Sequence, residues 1–238
     1  MAVLAHEGAF SILYGPFGVP TGSGYAPGYI ARPDQFGRFP AALLAPDRGL
    51  VTSEVKDLAR RLARRGLAVV AIGSARGGDD ADDERVGVDL DEAQQFLASD
   101  DIDWTYPEAI GLIGTGSGGR TVLIHAAYRP WVRAVVTLGG PLWGDEAGEH
   151  PVLGLLPHIA APVLGLYGAE DEATPAGLVD EAQGSTPRGQ WLLYAGAGSG
   201  FWDIDSPAYD PGAAEDAEAR VTAFLLAALP AAEVEDLG

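Results

Sequence analysis

The sequence predicts one α/β domain over residues 1–238, with a mostly parallel central sheet and helices on both faces. Short apolar segments alternate with segments of helical periodicity, which is the pattern of parallel strands joined by helices. A glycine-rich turn also follows one apolar segment directly and leads into a helical pattern. No repeat, long linker or low-complexity segment divides the sequence into further domains.

The first predicted strand and helix occupy residues 41–66. Residues 41–44 are apolar and predict a strand, and Ser53 can cap the helix that follows it. The inner face of that helix is apolar at helical spacing, and Gly66 ends it as a C-terminal cap. Residues 67–72 are apolar throughout, which predicts a second strand that is buried on both faces.

The middle of the sequence predicts a loop, a helix and another strand. Residues 77–88 are polar and acidic, so we expect a loop there. Asp89 then starts a helix, and Glu92 stands where the partner residue of a capping box belongs. Residues 110–113 form the next expected strand, and the glycine-rich turn comes immediately after them.

The last part of the sequence predicts three more strands, over residues 134–138, 163–166 and 190–193, the last of which completes the sheet. Asp210 and Pro211 suit the cap and the first turn of a final helix. The apolar stripe of that helix consists of Val221, Phe224, Leu225 and Leu229. The acidic tail beyond this helix is expected to fray.

The composition narrows the class of protein. The chain has 34 acidic and 15 basic residues, a net charge of −19, which opposes binding to nucleic acid or to an anionic membrane. There is no cysteine, which excludes thiol nucleophiles and cysteine-based metal sites. No apolar run reaches the roughly 18 residues of a membrane span, and the N-terminus lacks the basic start of a signal peptide. We therefore expect a cytoplasmic protein without a cofactor, and without a metal because no cluster of His, Asp and Glu has ligand spacing.

A strand, a tight glycine-rich turn and a helix together predict a nucleophile elbow, the sharp turn that presents the reactive side chain of α/β-hydrolases. Residues 110–119 read I-G-L-I-G-T-G-S-G-G. Residues 162–171 read P-V-L-G-L-Y-G-A-E-D, an apolar strand that ends in an acid, and residues 194–201 read Y-A-G-A-G-S-G-F. In this order the three segments resemble those of the dienelactone hydrolases, and the likeness covers nearly the whole chain.

The resemblance implies an α/β-hydrolase fold and assigns positions to a catalytic triad. Asp171 falls at the acid position, Gly116 at the position of the nucleophile, and Ser199 at the position of the histidine. In the loop that helps to build the oxyanion hole, Ala45 and Pro46 replace the histidine–acid pair of the family. The resemblance therefore implies a degenerate triad that has lost two of its three members.

The order of residues supports the same expectation. In α/β-hydrolases the triad runs along the chain as nucleophile, acid and histidine. The four histidines, His6, His125, His150 and His158, all precede Asp171. A serine without an adjacent base is a weak nucleophile, so hydrolysis by a triad is not expected. We expect His125 and His158 to be packing or edge residues, and the other two to lie on the surface.

Two interpretations stay open at the turn. Ser117 is either a nucleophile shifted by one position or a small residue that begins the helix. The turn at Gly116 could bind an anion or a carbonyl oxygen, because N–H groups at a helix N-terminus attract negative charge. With no side chain at Gly116, the floor of the pocket is then expected to be open. Alternatively, the glycines only preserve the geometry of the turn.

The remaining candidate residues surround this turn. Asp171 is either a remnant that accepts hydrogen bonds from its own loop or a general base with a new partner. Asp47, Arg48 and Arg120 are candidates for ligand binding, with the arginines as bidentate donors or, equally, as solvated surface residues. Four aromatic residues are candidates for the pocket lining, with packing as the alternative: Trp143, Phe201, Trp202 and Tyr209.

These expectations lead to three functional hypotheses. The first is a protein that binds a small organic acid, lactone or polyketide-like molecule and promotes non-covalent chemistry on it, such as cyclisation, isomerisation or elimination. The second is a weak ester or lactone hydrolase that uses Ser117 or an activated water. The third is a non-catalytic partner of an active relative, for which a large exposed apolar patch would argue. The expected partner is an anionic or lactone-like small molecule, and the sequence leaves a homodimer open.

Overall fold

The computed structural model describes residues 8–22, 24–74, 83–143 and 152–234. The strands of these residues are β1 (Ile12–Thr21), β2 (Gly24–Pro33), β3 (Gly37–Ala45), β4 (Ala68–Ile72), β5 (Thr105–Thr115), β6 (Val132–Leu138), β7 (Val163–Gly168), β8 (Gly189–Tyr194) and β9 (Glu233–Val234). Their α-helices are α1 (Ser53–Arg64), α2 (Asp83–Leu97), α3 (Ser117–Tyr128), α4 (Val152–Leu155), α5 (Ala176–Ser185) and α6 (Pro211–Ala228).

The sheet has the order β1-β2-β4-β3-β5-β6-β7-β8. β2 pairs with both β1 and β4 in antiparallel fashion, whereas every pair from β4 to β8 is parallel. The sheet is therefore mostly parallel, which confirms the predicted fold class. β5 lies inside the sheet, so its C-terminal end opens onto the edge where ligands of open α/β sheets bind.

The two largest apolar clusters of the described residues pack against the sheet. α1 and α6 contribute Leu62 and Val221 to one cluster, while α2, α3 and α5 contribute Leu90, Leu123 and Val179 to the other. All five side chains are almost fully buried, so helices cover both faces of the sheet, as a parallel sheet requires. In the part of the chain that the structure describes, no helix combines the length and the apolar character needed to cross a membrane.

The helix α2 begins earlier than the sequence predicts. It starts at Asp83, so Asp89 lies within the helix and is only 3% exposed instead of starting its first turn. Val86 lies one helical turn before Leu90 and packs with it in the apolar core. The acidic residues around Val86 make the segment look like a loop in the sequence. The loop predicted to end at Val88 is therefore wrong where α2 occupies it, and the rest of that loop lies outside the described residues.

The sequence does not predict the hairpin of β1 and β2, the helix α5 or the short strand β9. β1 contains Pro16 and Pro20, which strands tolerate mainly at a sheet edge or a bulge, and β1 lies at an edge. β9 belongs to the acidic tail that is expected to fray, but its two residues pair with Gly37 and Arg38 of β3. The expectation of a frayed tail is therefore wrong for β9, because the first two residues of β3 supply hydrogen-bond partners that the sequence alone does not reveal.

The caps predicted at the starts of α1 and α6 differ in outcome. At α1 the cap is Thr52, whose Oγ1 accepts the N–H of Val55 at 3.3 Å, and Ser53 is the first helical residue. The predicted cap of α1 is thus displaced by one position. Asp210 caps α6, and Pro211 occupies its first turn, as predicted.

Replacing Asp210 with alanine should destabilise the fold, because its carboxylate satisfies two N–H groups at the start of α6. Its Oδ1 accepts the N–H of Gly212 at 2.9 Å and that of Ala213 at 3.0 Å. Loss of such a cap costs about 1 kcal/mol, which lowers the melting temperature of a domain of this size by roughly 2–4 °C. Thermal unfolding followed by circular dichroism measures the change. The control is Glu215→Ala at an exposed position of the same helix, and equal melting temperatures for the two variants would contradict the assignment.

Candidate functional site

The turn from β5 into α3 has the backbone of a nucleophile elbow. Gly116, between the two elements, has φ 54° and ψ −127°, a conformation that is open to glycine and strained for other residues. The chain also passes close to itself, since a β-carbon on Gly118 would lie 2.1 Å from the carbonyl oxygen of Ala45. The predicted strand, turn and helix are therefore confirmed, and the turn itself requires glycine.

The space beside Gly116 is filled by the carboxylate of Asp47. A β-carbon added to Gly116 would lie 2.5 Å from Oδ1 of Asp47 and 2.6 Å from its Cγ. That oxygen accepts one hydrogen bond of 2.8 Å from the backbone N–H of Ser117 and another of 2.8 Å from the Ser117 hydroxyl. The open pocket floor expected at Gly116 is therefore wrong, because an acidic side chain from another loop stands where the side chain of an elbow residue would begin.

Further hydrogen bonds clamp the loop after β3 to the elbow. The N–H of Asp47 donates to Thr115 Oγ1 at 3.1 Å, and the N–H of Arg48 donates to Ser117 Oγ at 2.7 Å. Arg48 has φ 50°, the one positive φ among the non-glycine residues that the structure describes, and such a backbone is unfavourable for a residue with a long side chain. These hydrogen bonds therefore hold Arg48 in an unfavourable backbone conformation, and they orient the carboxylate of the neighbouring Asp47.

The hydroxyl of Ser117 is engaged within this clamp. It accepts the N–H of Arg48 and donates to Oδ1 of Asp47, so both of its bonds point toward the loop after β3. This geometry matches the interpretation of Ser117 as a small residue that begins the helix. Its alternative role as a shifted nucleophile stays a prediction, and attack would require the hydroxyl to leave the loop.

Asp171 and Ser199 lie on the loops after β7 and β8. They share an edge of the sheet with the elbow, because β5, β7 and β8 point in the same direction. Asp171 is 5% exposed and its Oδ1 accepts the N–H of Ala173 at 2.9 Å, whereas Ser199 is exposed. The N–H of Glu170 donates to the carbonyl oxygen of Ala197 at 2.9 Å, which ties the two loops together.

The loop that carries Asp171 also reaches the elbow through the loop after β6. Thr174 Oγ1 donates to the carbonyl oxygen of Gly140 at 3.1 Å, and a β-carbon on Gly140 would lie 2.3 Å from the carbonyl oxygen of Gly116. Contact from loop to loop therefore connects the Asp171 loop with Gly116. The bond between Asp171 and its own loop matches the structural interpretation of this residue, and its role as a general base stays a prediction.

Arg120 and Trp143 are joined by a hydrogen bond, but the Arg120 side chain is buried and the Trp143 side chain is exposed. Arg120 is 9% exposed, and its guanidinium donates to the carbonyl oxygen of Trp143. The interpretation of Arg120 as a solvated surface residue is therefore wrong, because the side chain reaches inward to hold the loop after β6. The Trp143 side chain is 58% exposed.

Two of the candidate aromatic residues lie elsewhere than at the elbow. Phe201 is 1% exposed and its ring centroid lies 4.9 Å from that of Tyr194, so it belongs to the apolar core. Trp202 lines a cleft of about 550 Å³ between α1 and α6, and no elbow residue contributes to the lining of this cleft. For Phe201 the packing interpretation holds, and Trp202 faces a different surface from Gly116.

Neither of the two described histidines, His125 and His158, contacts the elbow turn or Asp171 in a hydrogen bond or ion pair of the structure. His125 is buried in α3, where Nε2 lies 3.3 Å from Oδ1 of Asp91 and the ring packs edge-on against Trp131 at 5.7 Å. His158 is exposed before β7. His6 and His150 lie outside the described residues. Within the described ranges, no group of three His, Cys, Asp or Glu residues could hold a metal ion.

Sequence comparison places these features in a family. The profile of the dienelactone hydrolase family matches residues 26–229. A candidate carboxymethylenebutenolidase from Methylorubrum extorquens is 30% identical over 90% of this chain and 80% of that protein. A candidate 2-oxo-3-(5-oxofuran-2-ylidene)propanoate lactonase from Bradyrhizobium sp. is 28% identical over 79% of this chain and 84% of that protein. The crystal structure of a candidate dienelactone hydrolase from Klebsiella pneumoniae subsp. pneumoniae superimposes with a TM-score of 0.80 at 25% identity, and covers 90% of this chain and 98% of that one.

The sequence makes Asp47 a candidate ligand contact, but it does not reveal that the Asp47 carboxylate lies at the elbow. Asp47 and Ser117 are 70 positions apart, and no periodicity links them. The available signal is indirect: a glycine stands where the resemblance expects a side chain, and an acid follows the neighbouring strand. Only the pairing of β3 with β5 turns these two observations into one site.

Alanine at Gly116 should destabilise the protein more than alanine at Gly139. The two glycines have φ 54° and 71°, so each substitution strains the backbone by on the order of 1–3 kcal/mol. At Gly116 the new methyl group would also meet Asp47, whereas a β-carbon on Gly139 meets nothing within 4 Å. Urea unfolding of both variants measures the difference. Equal losses would show that Asp47 does not occupy the space at the elbow.

The free energy of unfolding should fall as the pH drops below about 6.5, in part through His125. Burial lowers the pKa of His125, and the nearby carboxylate of Asp91 opposes this effect only in part. Below that pH the unfolded chain takes up a proton that the folded chain resists, so acid favours unfolding. Urea unfolding at about pH 7.5 and about pH 5.5 should show a larger loss of stability for the wild type than for His125→Gln. An identical pH dependence in the two proteins would refute this expectation.

Proposed function

Because this chain belongs to the dienelactone hydrolase family, we propose that it binds a small organic acid, lactone or polyketide-like molecule at the elbow and promotes non-covalent chemistry on it. The observation that carries this proposal is the composition of the elbow. A glycine stands between β5 and α3, and the carboxylate of Asp47 fills the space beside it. A site of this form offers a positioned acid or base in place of a nucleophile.

Hydrolysis through a covalent intermediate requires a nucleophilic side chain and a histidine, and in this proposal the site has neither. Gly116 has no side chain that could attack a carbonyl, and no histidine follows Asp171 in the sequence. Ser199, at the position that the family gives to the histidine, carries a hydroxyl, which is no base at neutral pH. Removal of a nucleophile and a histidine from a triad lowers the rate by several orders of magnitude.

The chemistry that remains depends on positioning and on proton transfer. Cyclisation, isomerisation and elimination require a ligand held in a reactive shape and a group that moves a proton. The carboxylate of Asp47 can be the group that moves the proton, and the N–H and the hydroxyl of Ser117 hold it in position. Arg48 follows it on the same exposed loop, and its positive charge suits a ligand that carries a carboxylate.

The names of the relatives narrow the class of ligand. One refers to a butenolide and another to an oxofuranylidene lactone. Both names describe unsaturated five-membered lactone rings. We therefore rank such lactones first among the ligands to be tested on this chain.

A second candidate function is weak ester or lactone hydrolysis through Ser117. Its hydroxyl lies 2.8 Å from Oδ1 of Asp47, within reach of a carboxylate that can accept a proton. The same hydroxyl accepts the N–H of Arg48 at 2.7 Å, so attack on a substrate would break the clamp between the two loops. A water molecule activated by Asp47 would give the same products without Ser117.

The purified protein should hydrolyse nitrophenyl acetate near the buffer background and form no covalent adduct with a fluorophosphonate probe. The physical reason is the missing elbow side chain and the missing histidine. Absorbance measures release of nitrophenol, and mass spectrometry of the treated protein measures the adduct. A burst of nitrophenol together with an adduct, both lost in Ser117→Ala, would replace the proposal with the second candidate.

Binding is measured on the same preparation by saturation-transfer NMR with a butenolide that carries a carboxymethyl group. The wild type should give a signal, and Gly116→Val should lose it, because valine would enter the space that Asp47 fills. Gly139→Ala is the control for backbone strain, since its methyl group meets open space. Melting temperatures of both variants establish that they are folded. A signal that persists in folded Gly116→Val would place the ligand elsewhere.

A further inference from the structure

We propose that Asp47 is the catalytic base of the elbow and that it isomerises a β,γ-unsaturated five-membered lactone, moving a proton from the α carbon to the γ carbon. This inference rests on the proposed function, since it requires a lactone to bind at the elbow. It names in addition the residue that reacts, the reaction and the position of the double bond in the lactone ring.

The carboxylate of Asp47 takes the place from which an elbow acts on its substrate. A side chain at the sharp turn of Gly116 would project at the C-terminal edge of the sheet. Oδ1 and Cγ of Asp47 lie 2.5 Å and 2.6 Å from the position of a β-carbon on Gly116. Both described bonds to the carboxylate end on Oδ1, and the residue is exposed, so the group is oriented without being sealed off.

The donors that would stabilise a tetrahedral oxyanion are engaged within the protein. The N–H of Ser117 donates to Asp47, and the N–H of Arg48 donates to Ser117 Oγ. A ligand oxygen cannot use these N–H groups while the carboxylate holds its place. Acyl transfer depends on such donors, whereas proton transfer to a carboxylate does not. The geometry therefore favours a base over an acyl-transfer site.

Because the N–H groups of Ser117 and Arg48 are already hydrogen-bonded within the protein, the range of possible substrates is restricted. The carbanion formed by proton removal must carry its charge without an oxyanion hole. A β,γ-unsaturated five-membered lactone meets this condition, because its enolate is a furan ring whose aromatic system spreads the charge. Saturated lactones and simple esters lack that stabilisation, so they should not react at this site.

The reaction balances without a co-reactant. The bond between the α carbon and its hydrogen breaks, the proton forms a bond to a carboxylate oxygen of Asp47, and the electron pair enters the ring as an enolate. The γ carbon then takes the proton back, the double bond moves to the α,β position, and the carboxylate is restored. No water, oxidant or reductant is consumed, and the product is an isomer of the substrate.

Asp171 is less suited to this role than Asp47. It is 5% exposed, and its Oδ1 accepts the N–H of Ala173 within the same loop. Asp47 is exposed and borders the space of an elbow side chain directly. A base must come within hydrogen-bond reach of the proton that it removes, which favours the exposed carboxylate.

The experiment follows α-angelica lactone, whose double bond is β,γ, by proton NMR as it converts to β-angelica lactone. The wild type should accelerate the conversion over buffer, and Asp47→Asn should lose roughly 100-fold or more of that acceleration. Asparagine retains the shape and can still accept the N–H of Ser117, but it cannot take up a proton. Asp34→Asn removes the same charge in the exposed turn between β2 and β3, and it should leave the rate unchanged.

A second variant guards against misfolding of the first. Gly116→Ala retains Asp47 but drives its carboxylate from its place, so it should also lose the isomerisation. Circular dichroism and melting temperature establish which variants are folded. Retention of the full rate in a folded Asp47→Asn would overturn the assignment of the base.

Saturation-transfer NMR with β-angelica lactone, the stable isomer, separates this inference from the proposed function. If the lactone binds to the wild type but α-angelica lactone isomerises no faster than in buffer, the role of Asp47 is refuted and the binding function stands. If neither lactone binds, both proposals fail. Release of the open-chain keto acid, lost in Ser117→Ala, would refute the isomerisation in favour of hydrolysis.

Discussion

The hydrogen bond from the N–H of Ser117 to the carboxylate of Asp47 joins the two loops from which the site is built. One loop is the elbow at Gly116, and the other is the loop after β3, in which Arg48 is held at φ 50°. β3 and β5 are adjacent and parallel, so their C-terminal ends meet at one edge and the bond can form. Because α3 begins at this point, its unsatisfied N–H groups favour a negative charge, and the carboxylate supplies one from within the protein.

This internal carboxylate changes what the elbow can bind. A glycine-rich turn at a helix N-terminus is ordinarily a place for an anion from solution. Here the N–H of Ser117 already has its acceptor, so a ligand oxygen must displace Asp47 or lie elsewhere. Directly beside Asp47, the neutral carbonyl end of a ligand fits better than a carboxylate, since two negative charges in close contact repel each other.

Family membership explains the scaffold better than it explains the chemistry. The loops after β6, β7 and β8 are tied to one another by the bonds from Thr174 to Gly140 and from Glu170 to Ala197. These contacts preserve the edge of the sheet whether or not a triad operates there. A fold of this kind supports many activities, and the site must therefore be argued from the groups that it contains.

The sequence by itself determined the mostly parallel sheet, the strand–turn–helix around Gly116 and the cap of α6 at Asp210, because each follows from local backbone preference or from the periodicity of apolar residues. It also determined that no histidine follows Asp171. The tertiary structure alone decided that Asp47 fills the elbow, that Arg120 reaches inward to the carbonyl oxygen of Trp143, and that the tail pairs with β3. The physical reason is that these contacts depend on which strands are neighbours and in what register, and residues 70 positions apart leave no periodic trace of their meeting.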